Sequence, residues 1–352
     1  MKKTYLLMAM ASIAGLSFTS CSEDEPISEN HGAAISFRPS MGTRATETTN
    51  ANLKEINVAA FMGDVPYFNT LPFSKGSDGY FTSDPTYNWP GDNTSLTFYA
   101  YSPSNPGGTI TLGGDSKVMT EFSPATDIAD QIDFITATAT GSKDDNEATG
   151  VPLKFDHRLV QIEVRAKTDN TAYTYKVTGV RIGQSVSKAD FDFSTNAWTL
   201  GSDKAIYDET YTTPVELNSV PASVMGTGGN LMLIPQQLTP WNPTSDASNT
   251  AKGAYLAIKL QINTVAGAQV YPFPSEGDCT WAAIPIDDNW EAGKKYVYNL
   301  DLTHGAGYVD PHDPDPGKPV LGGPIKFTVD VTDWVDSSSD LPMDTGKDNP
   351  TE

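Results

Sequence analysis

The feature that most constrains this chain is the shortness of its apolar runs. From Ala33 onward they alternate with polar residues and stop at Gly, Pro, Asn or Asp, the pattern of half-buried strands separated by turns. Helical periodicity is scarce. Candidate strands cover residues 34–38, 53–61, 79–82, 96–101, 131–136, 151–166, 173–182 and 190–193. Later ones cover 205–207, 230–234, 254–264, 270–273, 280–284, 295–303 and 324–334. Many short strands and few helices predict an all-β protein of two β-sandwiches, whose cores form between the inner faces of packed sheets. At 352 residues the chain is long enough for two such domains.

The last candidate strand alternates most cleanly. Ile325, Phe327, Val329 and Val331 share one face, and Lys326, Thr328, Asp330 and Thr332 the other, as a strand with one buried face requires. In 159–165, Leu159, Ile162 and Val164 drift off period two, which predicts a bulge near Val160. The polar run 141–147 reads as a linker or a long surface loop and sets a domain boundary near residue 150. The Pro/Gly/Asp run 308–323 reads as a non-globular interruption, and the residues after Trp334 as a polar tail. The expected division is 1–20 signal, 21–32 tether, 33–150 N-terminal sandwich, 151–336 C-terminal sandwich and 337–352 tail.

Residues 1–20 place Lys2 and Lys3 before an apolar run from Tyr5 to Leu16 and the small-residue stretch 17–20. This is a secretory signal, well short of the roughly 20 residues that a spanning helix needs. Cys21 directly after it resembles the lipobox of bacterial lipoproteins, with Phe18 where that motif usually has Leu. Cys21 is therefore the expected lipidation site, where acyl chains would anchor the protein to the outer membrane. The segment Ser22-Glu23-Asp24-Glu25 resembles the acidic tract that directs some lipoproteins of the Bacteroidota to the cell surface. With Cys21 acylated, Cys279 has no partner and reads as a small buried hydrophobe.

The formal charge of −21 repels phosphate backbones, and no Lys/Arg cluster relieves it, so nucleic acid is excluded as a partner. The four histidines, His31, His157, His304 and His312, pair with no other His or Cys at a metal-binding spacing. Ser185-Val186-Ser187-Lys188 fits Ser-x-x-Lys but lacks the companion motifs of that chemistry, and no nucleophile elbow is present. Asp310, Asp313 and Asp315, and likewise Asp144, Asp145 and Glu147, lack the Gly and terminal Glu of a calcium loop and read as solvated carboxylates. No cofactor, metal or enzymatic activity is expected. Tyr67, Tyr80, Tyr87, Trp89 and Trp241 read as core aromatics or as sugar-stacking faces. The second of these supports an alternative function, a monomeric surface lipoprotein that binds glycans or other host or bacterial surface ligands.

Several segments carry a family resemblance. Phe37 with Thr43-Arg44-Ala45-Thr46, then 96–103 (LTFYAYSP) and 133–137 (DFITA), resemble successive N-terminal blocks of the fimbrillin family, the type V pilins of the Bacteroidota. Val151-Pro152-Leu153-Lys154-Phe155-Asp156-His157-Arg158-Leu159 resembles its central leucine-x-phenylalanine-x-histidine block. Leu233-Ile234-Pro235-Gln236, 290–298 (WEAGKKYVY) and Val331-Thr332-Asp333-Trp334 resemble its C-terminal blocks. The resemblance implies two transthyretin-like β-sandwich domains, lipoprotein export and a place at the cell surface or in the fimbrium. It also implies assembly with other pilin subunits by strand exchange. An Arg-specific protease would cut between Arg44 and Ala45, the first strand would leave, and a donor strand from a neighbour would enter. Ile325, Phe327, Val329 and Val331 form the candidate donor strand.

Overall fold

The computed structural model describes residues 34–41, 52–244, 253–273 and 277–334. Nine strands come first: β1 (Phe37–Met41), β2 (Glu55–Met62), β3 (Val65–Lys75), β4 (Phe81–Thr82), β5 (Leu96–Ser102), β6 (Thr109–Leu112), β7 (Lys117–Phe122), β8 (Ile135–Gly141) and β9 (Val151–His157). Seven follow as β10 (Val160–Lys167), β11 (Tyr173–Val186), β12 (Ala189–Asp192), β13 (Ala197–Leu200), β14 (Lys204–Glu216), β15 (Ala222–Ser223) and β16 (Leu231–Leu233). The last six are β17 (Tyr255–Thr264), β18 (Gln269–Tyr271), β19 (Thr280–Pro285), β20 (Lys294–Asp301), β21 (Tyr308–Val309) and β22 (Lys326–Asp333). Among the described residues helix is confined to single turns at Ile128–Asp130 and Lys143–Asn146, so the all-β class predicted from the apolar pattern holds.

The first unit is a ring. Strands β1, β4, β3, β2, β5, β8 and β9 are hydrogen-bonded in that order, and β1 returns to β9 to close it. Ile56 and Val58 of β2, Phe98 of β5, Phe73 of β3 and Leu153 and Phe155 of β9 share its interior with Phe37, all fully buried. The second unit is a two-layer sandwich. One layer runs β15-β10-β20-β22, with β16 also on β10; the other runs β14-β11-β17-β19-β21, with β18 on β17. Alternate residues of the two layers, such as Ile162 and Val164 against Val180 and Ile258, form its core.

A third core joins the units. Strands β6 and β7 from the first half and β12 and β13 from the second make one four-stranded sheet. Its cluster contains Phe61, Phe122, Phe134, Phe191, Phe193 and Trp334. Ala59 and Phe61 reach it because β2 is buried on both faces, sending Ile56, Val58 and Ala60 into the ring and the alternate pair outward.

Several sequence readings need correction. The single strand expected over 151–166 is two strands. Val151–His157 completes the ring, the chain crosses at Arg158 and Leu159, and β10 opens the sandwich, so the boundary set near residue 150 falls ahead of the ring's last strand. No bulge occurs near Val160. That strand pairs regularly with β16 and β20, and its alternation is blurred because Gln161 and Glu163 are buried as well as their neighbours. The polar run 141–147 lies within the ring, between β8 and β9, where Ser142 bonds Asp145 and Asn93 bonds Asp144. The run 308–323 is packed. Its β21 joins β19, Asp310 is buried against Arg181, and Tyr255 meets His312. Cys279 is half-buried instead of buried.

Candidate functional site

The described chain begins and ends on strands of opposite character. At the start, Ile35 and Phe37 are 1% and 0% exposed, and the Phe37 ring meets Phe73 at 4.8 Å and Phe98 at 5.1 Å, both edge-on. Strand β1 runs parallel to β9 over five register pairs, Phe37 with Val151 through Met41 with Phe155. It touches β4 only at Phe37 with Phe81. Pro39 has no N–H to donate and is tolerated because it falls beyond that single pair. Gly150 lets β9 start beside β1. Its φ is +68°, and a Cβ there would lie 3.1 Å from the Tyr80 ring and 3.2 Å from Ser36 Oγ.

At the end, β22 is the outermost strand of its sheet and pairs only with β20, from Lys294 with Asp333 to Asp301 with Lys326. The face predicted to be buried is covered at one end only. Ile325, just before the strand, is buried, Phe327 and Val329 are half-buried, and Val331 is 51% exposed. Covering resumes at Trp334, which is 3% exposed and donates its backbone N–H to Gly293 O at 2.8 Å.

The C-terminal end meets the last strand of the ring at the junction of the units. His157, the last residue of β9, has Nδ1 2.9 Å from Asp133 Oδ1, with both side chains 3% exposed. Its ring stacks on the Trp334 indole at 4.3 Å, with 9° between the planes. Gly293, which accepts from Trp334, donates its own N–H to Leu159 O at 2.9 Å. Arg158 donates to Phe134 O and to Thr136 Oγ1, and its own carbonyl accepts from the Trp198 indole. In the sequence, Asp133, His157 and Trp334 fall in three separate blocks, with nothing to bring them together.

The remaining predicted residues are spread apart. Cys21, Arg44 and Ala45 lie outside the described residues. Trp89 and Trp241 are buried, and Tyr67 and Tyr87 are half-buried against the ring core. Ser185 is buried, while Lys188 pairs with Asp203 on the surface, so the two do not form a catalytic pair. No group of three His, Cys, Asp or Glu side chains able to hold a metal occurs among the described residues. Nor is any helix among them long and apolar enough to cross a membrane.

A family model described as fimbrillin-like matches residues 43–334. The chain belongs to this fimbrillin-like family. The family is a fimbrial one. Among solved structures, this fimbrillin-like protein is similar to a fimbrial protein from Bacteroides vulgatus. That likeness has 18% identity and a TM-score of 0.55, and covers 85% of this chain and 99% of the other. It is also similar to the fimbrial anchor protein Mfa2 from Porphyromonas gingivalis, with 10% identity, a TM-score of 0.40, and coverage of 86% and 98%. No curated protein matches the chain.

Proposed function

We propose that this protein is a fimbrial subunit whose first strand holds a place later taken by a strand from a neighbouring subunit. The observation that carries this reading is the position of β1. A five-residue strand at the start of the described chain closes the ring, with Phe37 fully buried, and is paired along its length with β9 but with β4 at Phe37 alone. Its departure would leave open backbone donors and acceptors on β9 and an aromatic-lined hole where Phe37 sat, the two requirements of β-augmentation.

In this reading the subunit is exported as a lipoprotein acylated at Cys21 and held at the outer membrane until an Arg-specific protease cuts between Arg44 and Ala45. That bond follows β1 by three residues in sequence and precedes β2. The incoming strand is the β22 of a neighbour. Its Ile325-x-Phe327 repeats the spacing of Ile35-x-Phe37, and Val329 and Val331 continue the face. As an edge strand with a half-covered face, β22 leaves its own sheet at modest cost.

The test is intact mass and N-terminal sequencing of the protein recovered from native cells, with native gels for assembly. An N-terminus at Ala45 on a ladder of polymers is the expected result. A lipidated Cys21 on a monomer would overturn strand exchange for this subunit and direct attention to surface ligands.

A further inference from the structure

Strand β9 takes more of its ladder from β1 than from its other neighbour. Its residues Val151–Phe155 take β1 as ladder partner, whereas β8 pairs only with Asp156 and His157. Val151, Leu153 and Phe155 are fully buried, so β9 cannot lose that support without disturbing the ring core. The same strand ends on His157, which is held by Asp133 and stacked on Trp334. Trp334 in turn is buried directly after β22, whose middle is half-exposed and whose Val331 is open to solvent. One continuous series of contacts therefore runs from the first strand to the last through β9, His157 and Trp334.

We infer that this series couples the two strands, so that loss of β1 loosens the seat of Trp334 and raises the opening of β22. The inference rests on the strand-release reading above and adds regulation to it. A subunit with β1 in place keeps its donor strand docked, and one that has lost β1 presents groove and donor together. Coupling free energies are reciprocal, so unseating Trp334 must weaken β1 by the same factor.

Amide hydrogen exchange on the full chain, read separately for β1, β9, β22 and the central sandwich strands β11 and β17, tests this. After a trypsin-like protease has cut at Arg44, or in uncut Phe37→Asp, exchange of β22 is expected to rise about tenfold, within the usual range of such couplings. Exchange in β11 and β17 should stay unchanged. In uncut Trp334→Ala, exchange of β1 and β9 should rise by a similar factor, and Trp334→Phe should restore most of the protection.

Loss of β1 with unchanged β22, or loosened β22 with unchanged β1 in Trp334→Ala, would overturn the coupling. If the protease cuts and β1 stays bound, the strand-release reading fails by itself, and the two uncut variants still decide the coupling. If Phe37→Asp loses protection in β11 and β17, it is a folding defect, and Trp334→Ala alone decides the coupling. If Trp334→Ala loses it as well, His157→Gln replaces it under the same criteria, and global loss in that variant too would overturn a local coupling.

Discussion

The ring and the sandwich are closed in different ways, and the difference lies in their terminal strands. In the ring, β1 is short and buries Phe37, without which the core is incomplete. In the sandwich, β22 is longer and better paired in register, yet it covers little. Without it, β20 becomes the edge while Tyr298 and Leu300 remain packed with the opposite layer. Length of pairing is thus a poor guide to what a strand contributes. A strand that fills a hole is costly to remove and leaves a shaped vacancy, whereas one that extends an edge leaves the rest of its sheet intact.

Alkaline pH should separate the two units by the largest margin. Burial raises the phenols of Tyr207, Tyr255, Tyr271 and Tyr298 well above their ordinary value, and in Tyr298 the Asp288 carboxylate adds to the rise. All four belong to the sandwich unit. In the ring strands burial also raises Tyr67 and Tyr101. A raised folded value stabilises the fold fully below the ordinary tyrosine range, about pH 10, and that stabilisation is lost as pH climbs above it. Exchange-monitored unfolding should show the sandwich opening first between about pH 10 and pH 12. Simultaneous opening of both units would mean that the shared core fuses them into one cooperative body.

Two phenylalanines test the comparison directly. Phe37→Ala should destabilise the protein by about 3–5 kcal/mol, the range for a large buried ring removed from a core that cannot collapse around the void. Phe327→Ala, at a half-buried position on the edge, should cost about 1–2 kcal/mol. Denaturant midpoints of the two variants give the ratio, and equal losses would show that β22 fills a hole after all.

The alternating runs revealed strand content and most strand positions, because period-two patterning follows directly from one-sided burial. Two of the strands that escaped it show why. Strand β3 contains Pro66 and Pro72, is mostly exposed and shifts register twice against β2, so neither propensity nor alternation marks it. Strand β14 was visible at 205–207 only, since most of its later residues are exposed or half-buried on a sheet edge. The crossing at Arg158 was hidden for the opposite reason: apolar patterning continues through it on both sides. At the site, Phe37 and the face of β22 were legible as patterns. The meeting of Asp133, His157 and Trp334 was not, because a contact over more than 170 residues leaves no local periodicity.

A smaller acid effect follows from the joint between β10 and β20. Glu163 would be raised by burial, but its hydrogen bonds from Arg165 and Lys295 outweigh that and hold it below the ordinary glutamate range. A lowered folded value gives stability that is complete above that range and lost as pH falls through the folded value. Glu163→Gln should therefore cost about 1 kcal/mol at neutral pH. It should also flatten the acid limb of a stability-versus-pH curve below about pH 4. An unchanged acid limb would assign that limb to other carboxylates.

Val331 gives the smallest expected effect on the monomer. At 51% exposure on an edge strand, Val331→Thr keeps the β-branched shape and removes little buried surface, so the midpoint of unfolding should move by less than about 0.5 kcal/mol. If β22 moves into a neighbour's groove, the same position passes from a free strand edge to the register place opposite Phe155 of β9, counting two residues at a time from Ile325 and Ile35. A substitution silent in the monomer would then weaken the polymer, read as a shorter ladder on native gels at equal protein concentration. If Val331→Thr left both monomer and ladder unchanged while Phe327→Ala shortened the ladder, the exchanged segment would end before Val331.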